Sequence, residues 1–257
     1  MTFTRSTPDT AARVWVDEDG AVTWGDVATV VNPWDEYSLE ETIAQSKSGG
    51  GESTVIAIGS ALHNDALKHS LAMGIDKALR LEEAGADMKD SLVWSAMAAG
   101  AIRKLGDVDL IIFGKESVDV GTDQHAYQLA RRLGWTMLSY VSRIVYADYS
   151  ERRIQVERAV EQGKQTVSAA LPAVISVLKE INEPRYPNFL GIRRAAKAEI
   201  PVWSAADMNV ALPRAGTTAL RFLNPPAREI STEILAGADV NATASALAQR
   251  LFEEKVL

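Results

Sequence analysis

The run Leu110-Ile111-Ile112-Phe113-Gly114-Lys115-Glu116-Ser117-Val118-Asp119-Val120-Gly121-Thr122-Asp123-Gln124 decides the architecture. Its first four residues are wholly apolar, which predicts a strand buried on both faces that ends at Gly114. After the loop a helix runs to Leu133, with Ala126, Leu129, Ala130 and Leu133 on its buried face and Gly134 as its stop. Upstream, Val55-Ile56-Ala57-Ile58 is a second apolar strand, closing at Gly59-Ser60. Asn64 to Met73 puts Leu67 and Leu71 on one face and stops at Gly74. Met88 to Lys104 is apolar almost all round (Trp94, Ala96, Met97, Ala99, Ile102), the pattern of a helix inside a fold. Strand, helix and strand with continuous apolar strands predict a parallel sheet with helices on both faces. Ligands of such sheets lie beyond the carboxyl ends of the strands, which directs attention to Gly59-Ser60 and to the loop after Phe113.

That loop supports two readings. Gly121 allows close backbone approach, and the free N–H groups after Thr122 suit a phosphate. Asp119 and Asp123 instead bring negative charge to the same place and suit a helix cap. No Gly-Lys-Ser/Thr run is present, so this is not a Walker loop. His125, beside it, reads as a helix surface residue rather than a base.

The rest of the chain is added to this core. Arg13 to Asp19 is strand-like, turns at Gly20 and returns through Ala21-Val22-Thr23 as a hairpin. Asn32-Pro33 fixes a turn, and Ser38 is placed to cap a helix beginning at Leu39. Ile154 and Val156 alternate with Gln155 and Glu157, break at Glu161-Gln162-Gly163 and resume at Gln165, which predicts a second hairpin. Pro172 opens another apolar run, Ala173 to Leu178. Asn182-Glu183-Pro184-Arg185-Tyr186-Pro187 follows, where two prolines forbid helix. Phe189 and Leu190 then precede the basic segment Arg193-Arg194-Ala195-Ala196-Lys197, so a stiff loop carries apolar side chains bordered by positive charge. From Ala211 to Gly237 prolines and glycines interrupt the chain, and this segment is expected to lie on another surface. Val240, Ala244, Leu247 and Leu251 finally form one helical stripe, suited to docking on a partner or to folding back.

Composition narrows the classes. The chain has 257 residues, 47% hydrophobic and 24% charged, as in a soluble globular protein. A net charge of −7 argues against nucleic acid as the main partner. No apolar run approaches the roughly 18 residues that span a bilayer, and the N-terminus lacks the apolar core of a secretory signal. These features give the expectation of a cytoplasmic protein without membrane insertion. Zero cysteines exclude disulfides and thiolate ligation, and His63, His69 and His125 are too scattered to predict a metal site. No serine elbow or paired acid and base stands out, so no catalytic residues are expected.

Several motifs, in order, resemble the electron transfer flavoprotein beta subunit family from about Pro8 onward. V-x-R-x-x-D/E, L-P-A-V and N-E-P-R-Y are met by Val156, Arg158, Glu161, Leu171-Pro172-Ala173-Val174 and Asn182 to Tyr186. N-P-x-D/C-E-x-x-A/L-E-E is met from Asn32 to Glu41, and G-K/R-x-x-x-D-x-x-x-x-Q by Gly114, Lys115, Asp119 and Gln124. F-x-x-P-P-x-R is met by Phe222, Pro225, Pro226 and Arg228. Pro8-Asp9-Thr10 resembles the end of the family's K-Q-V-P-D-T segment, which normally closes a longer first strand. Here only Thr2-Phe3-Thr4 precedes Arg5, which replaces the usual Lys, so either the strand is shortened or the start codon is placed too late. Gln162 also departs from the usual Gly, Asp or Glu.

The resemblance implies an α/β fold with a mostly parallel, Rossmann-like sheet of the adenine nucleotide alpha hydrolase-like kind. Helices cover both faces, a β-hairpin is added, and an extended C-terminal arm ends in a helix. It implies a nucleotide-binding domain over residues 1–200, with a recognition loop at 182–192, and an arm over 201–257 that docks on an alpha subunit. AMP would be held by Phe3, Asn32, Pro33, Trp34, Asp35, Gly59, Gly114, Asp119, Gly121, Thr122, Asp123, Gln124 and Gln128. FAD, carried mainly by the alpha subunit, would lie near Thr10 and Trp34, although Trp34 also reads as a buried residue beside a helix cap. Glu183, Pro184, Arg185, Tyr186, Phe189 and Ile192 would dock on acyl-CoA or other flavin dehydrogenases, with a membrane quinone oxidoreductase or another carrier as acceptor. The S-D-T-x-A segment associated with flavin-bifurcating members, which hold a second FAD, is missing between Leu81 and Trp94. A stand-alone nucleotide-binding regulatory module is the alternative from another class.

Overall fold

The computed structural model describes every residue except Asp87, residues 228–231 and Leu257. Arg228 of the proline motif therefore lies outside the described residues. The chain divides into two compact units, Met1–Phe222 and Leu223–Leu257.

In the first unit the opening strands are short: β1 (Thr2–Phe3), β2 (Ser6–Pro8), β3 (Trp15–Val16), β4 (Val22–Thr23) and β5 (Thr29–Val31). They lead into α1 (Pro33–Gly49), β6 (Thr54–Ile58), α2 (Asn64–Met73), β7 (Lys77–Leu81), α3 (Ser91–Leu105), β8 (Leu110–Gly114) and α4 (Gln124–Leu133). Next come β9 (Thr136–Asp148), β10 (Arg153–Val160), β11 (Gly163–Ala170), β12 (Ala173–Val177), α5 (Phe189–Ala196) and β13 (Val202–Trp203).

Nine strands form one sheet in the order β11-β10-β9-β12-β8-β1-β6-β7-β13. From the start of β9 across to β13 the neighbours run parallel, whereas β9, β10 and β11 form an antiparallel meander at one edge. β2 with β5, and β3 with β4, are separate antiparallel pairs, the latter being the early hairpin. The fold is thus the expected α/β arrangement, with a mostly parallel sheet and helices on both faces.

Alternate residues of each central strand feed opposite sides of the sheet. Ile56, Ile58, Ile111 and Phe113 enter the core under α3 and α4. Val55 and Ala57 join Leu39, Ile43 and Leu67 of α1 and α2, while Leu110 and Ile112 join Ile175 and Val177. Both sets are apolar because both faces are dry. Each fully buried Ile or Leu contributes about 1.5–3 kcal/mol over an exposed one.

The structure differs from the sequence reading at several boundaries. α1 begins at Pro33 rather than Leu39, because proline at the first helical position loses no backbone bond. Ser38 is therefore no cap; it is buried inside the helix, donates to the Asp35 carbonyl at 2.9 Å and lies 2.9 Å from Thr2 Oγ1. α3 starts at Ser91 instead of Met88, since the Asp90 carboxylate accepts from the Leu92 and Val93 amides. Asp90 also receives the Gly216 amide together with the amide and hydroxyl of Thr217. The chain just after Ala211 thus lies on this unit itself, and Val210 and Leu212 pack on the core. Phe189 to Ala196, read as loop and basic segment, is helical and capped by Asn188.

In the second unit, α6 (Val240–Glu253) is capped by Asp239 and has no buried residue. Arg250 pairs with Glu233, Glu253 and Glu254. Val240, Leu247 and Phe252 are exposed.

Helix α1 lies directly on the end of β8. A Cβ on Gly114 would stand 2.5 Å from the backbone carbon and oxygen of Trp34 and 2.9 Å from the Asp35 nitrogen. Gly114→Ala should cost about 1–3 kcal/mol of stability through this overpacking. Urea denaturation measures it, and an unchanged midpoint would refute the close approach.

Candidate functional site

The carboxyl ends of β1, β6 and β8 bring together three segments: Thr4 to Pro8, Gly59-Ser60, and the Gly114–Asp123 loop. Asn32, 1% exposed, fastens the last of these. Its Nδ2 donates to the Glu116 carbonyl at 2.9 Å, and its Oδ1 accepts from the Val118 amide at 3.1 Å. Arg5 joins the first segment to the loop by an ion pair with Asp119 at 2.8 Å. Ser117 closes the loop on itself, with its amide donating to Thr122 and its carbonyl accepting from Gly121, where φ is +60°. Such a φ suits glycine.

Neither carboxylate caps α4. Asp123 stands at the cap position without a side-chain bond to the helix, and its Oδ2 accepts from the Tyr140 hydroxyl at 3.0 Å. Asp119 is held by Arg5 and Ser117. Beside the loop, Thr4, Ser6 and Thr7 are 5%, 4% and 0% exposed; the Thr4 hydroxyl faces Asp35, while the hydroxyl oxygens of Ser6 and Thr7 have no partner. Ser6 donates its amide to His63 Nδ1 at 3.1 Å, and a Cβ on Gly59 would meet the same imidazole at 2.8 Å.

The titratable groups here are tuned by burial. Desolvation pushes the Asp35 carboxyl up to about 7, against the opposing pull of Asn32 and Arg5. Desolvation likewise lowers His63 and His125 to about 4, so both rings are neutral near pH 7. His125 is half-buried with its ring edge-on to Trp94 at 4.7 Å, not the surface residue expected.

The expected nucleotide residues separate into those at this site and those spent elsewhere. Asn32, Asp35, Gly59, Gly114, Asp119, Gly121, Thr122 and Asp123 surround it, and Gln124 begins α4 at its rim. Pro33 and Trp34 form the first turn of α1. The Trp34 indole is partly exposed, with Lys115 Nζ 5.3 Å from the ring centroid. Phe3 is a core residue stacked on Phe113 at 5.0 Å, so its side chain is used in packing. Gln128 sits one turn into α4 and donates to Ser91 Oγ at 2.9 Å. Thr10 is exposed beyond β2.

A second surface lies along α1. Arg185 forms a two-pronged pair with Glu40, and its amide donates to the same carboxylate. This hydrogen bonding holds the Glu40 carboxyl below its usual value. Asn182 donates to the Tyr37 carbonyl and to Glu41, both at 3.1 Å. Gly191 packs so closely on the Ala72 carbonyl that no Cβ fits there. The loop backbone is therefore braced, while Tyr186, Phe189 and Leu190 are 95%, 76% and 74% exposed and Ile192 stands out beside them. Glu183 is exposed and Pro184 half-buried between these contacts.

Comparison with known proteins identifies the family. Residues 21–208 match the family described as electron transfer flavoprotein domain. The chain belongs to the electron transfer flavoprotein beta/FixA family. It is 37% identical over 188 residues to Protein FixA of Azorhizobium caulinodans, a match covering 72% of this chain and 67% of that protein. It is 29% identical to the caffeyl-CoA reductase-Etf complex subunit CarD of Acetobacterium woodii, over 98% of this chain and 97% of that one. The electron transfer flavoprotein subunit beta of Clostridium acetobutylicum is 30% identical over 80% of this chain and 78% of its own length. As a member of this family the chain is an electron transfer subunit. No helix among the described residues is long and apolar enough to cross a membrane.

Arg5, the unpartnered hydroxyls, Tyr140 and Glu40 were not singled out from the sequence for the roles they play. Arg5 stood out only as a departure from the usual Lys. The paired acids in the motif after Asn32-Pro33 were the available signal for Glu40, and nothing in the sequence marked Tyr140.

The raised Asp35 carboxyl links stability to pH. Its folded value lies above the unfolded one, so its contribution is full below about pH 4 and is lost as pH rises through about 7. The thermal midpoint of the natural chain should therefore fall more steeply between about pH 4 and 7 than that of Asp35→Asn. Parallel pH profiles would contradict a buried acid.

Proposed function

We propose that this chain is the beta subunit of a heterodimeric electron transfer flavoprotein. It accepts electrons from flavin dehydrogenases, such as acyl-CoA dehydrogenases, and passes them to a membrane quinone oxidoreductase or another acceptor. The observation that carries this reading is the braced Asn182–Ile192 loop. A rigid backbone presenting exposed Phe189, Leu190 and Tyr186 beside Arg193, Arg194 and Lys197 suits brief contacts with several partners. The relative that forms part of a caffeyl-CoA reductase-Etf complex supports partner enzymes that act on acyl-CoA thioesters.

FAD supplies the chemistry when bound, taking up and releasing electrons one or two at a time. In this reading the alpha subunit holds most of it, and this chain closes over it with the partly exposed Trp34 indole and with Thr10. The chain's own residues orient and shield the flavin but perform no bond chemistry. The C-terminal arm, ending in an α6 with no buried side chain, is read as docking on the alpha subunit.

AMP is the ligand proposed for the site at the strand ends. The residues present fit a mononucleotide. Buried hydroxyls of Ser6 and Thr7 lack partners, and α4 opens without a side-chain cap. An uncapped helix start favours an anion. The proposed location is the cytoplasm.

The co-expressed two-subunit complex tests these assignments by mass spectrometry and absorption. One flavin and one AMP per heterodimer are expected. Two flavins would transfer the site to a second FAD, and a colourless chain stable without a partner would make it a stand-alone module. Phe189→Ala should lower the kcat/KM for flavin reduction by acyl-CoA dehydrogenase roughly 10- to 30-fold, as loss of an interface anchor does. Flavin content should be unchanged, and an unaltered rate would remove the docking assignment.

A further inference from the structure

The two carboxylates around the start of α4 pose a problem for any anion held there. A free aspartate at a cap position bonds the first helical amides and puts a negative charge where a phosphate would sit. Asp123 occupies that position and yet makes no such bond. Its Oδ2 accepts instead from Tyr140, whose own conformation is unusual. Tyr140 has φ of +57° within β9, a region disfavoured for a residue with a side chain. There its amide leaves the strand pairing and donates to the Ser176 hydroxyl at 3.1 Å. The β9–β12 register shifts between Ile175 and Val177 at the same point.

The backbone thus departs from regular strand where the phenol reaches Asp123. The hydrogen bond to Asp123 also pushes the Tyr140 phenol up to about 12, so it remains a donor at ordinary pH. Asp119 is restrained in parallel by Arg5. The segment containing Arg5 carries the buried, unpartnered hydroxyls of Ser6 and Thr7, an independent sign of a ligand beside this loop.

We propose that Tyr140 is a positioning residue that draws the Asp123 carboxylate off the α4 amides and so leaves them open to the phosphate of the bound mononucleotide. Arg5 does the same for Asp119. This role rests on the mononucleotide reading above. It assigns the Asp123 side chain no direct contact with nucleotide, and it makes the hydroxyl of Tyr140 matter through Asp123 alone.

The test is a double-mutant cycle in the co-expressed two-subunit flavoprotein, freed of nucleotide and titrated with AMP by calorimetry. Tyr140→Phe should weaken AMP binding roughly tenfold, because the released carboxylate competes for the amides. Without nucleotide its Tm should be unchanged or higher, since the same carboxylate now caps the helix. In an Asp123→Ala background, Tyr140→Phe should have no further effect on AMP. AMP binding by Tyr140→Phe at the natural affinity would overturn the role. So would a loss that persists in the Asp123→Ala background, or one accompanied by a lowered Tm. Failure of the unmutated complex to bind AMP would instead remove the mononucleotide reading, and this role with it.

Discussion

The Asn32 side chain is the contact on which the rest of the site depends. A primary amide offers one donor and one acceptor at a fixed spacing, and here it satisfies a carbonyl and an amide of the loop, Glu116 and Val118, at once. Because Asn32 is buried, breaking either bond would strand a backbone group without water to replace its partner. The constraint operates only because Gly114 lets α1 settle directly on the end of β8. Any side chain at that position would separate the helix from the loop it restrains.

From that fixed end α1 organises the other parts of the first unit. Two turns further on, Glu40 and Glu41 hold Arg185 and Asn182 of the Asn182–Ile192 loop. Near its far end, Gln45 accepts from the Tyr149 hydroxyl at 3.0 Å and so meets the antiparallel meander. One helix therefore ties the Gly114–Asp123 loop, the Asn182–Ile192 loop and the edge of the sheet together. The hydrogen bonds that brace the second of these loops involve its polar residues, which leaves Tyr186, Phe189 and Leu190 exposed.

The electrostatics follow from the same packing. Asp35 is buried by the close approach of helix and strand, and His63 is half-buried against Gly59 while accepting the Ser6 amide. Both groups favour their neutral forms. The cations Arg5 and Lys115 beside the loop are paired, with Asp119 and with Glu116, so a phosphate would meet oriented amides and hydroxyls more than free cations.

Much of this was legible in the chain itself. The apolar runs at 55–58, 110–113 and 173–177 determined a parallel sheet dry on both sides, because residues that alternate between two faces must both be apolar when both faces are covered. The motifs at Asn32-Pro33, Gly114-Lys115 and Asn182 to Tyr186 marked the loops that matter. Other features had a misleading local signature or none. Helix α1 starts six residues before the expected point, at a proline that as sequence suits a turn, whereas Tyr140 has its strained angle in a strand whose contacts there, Ser176 and Asp123, lie elsewhere in the chain. Likewise, Asp119 and Asp123 read in the sequence either as helix caps or as part of a phosphate site. The caps do not form, because Arg5, Ser117 and Tyr140 hold the two carboxylates first, and only the tertiary structure brings Arg5 and Tyr140 to them.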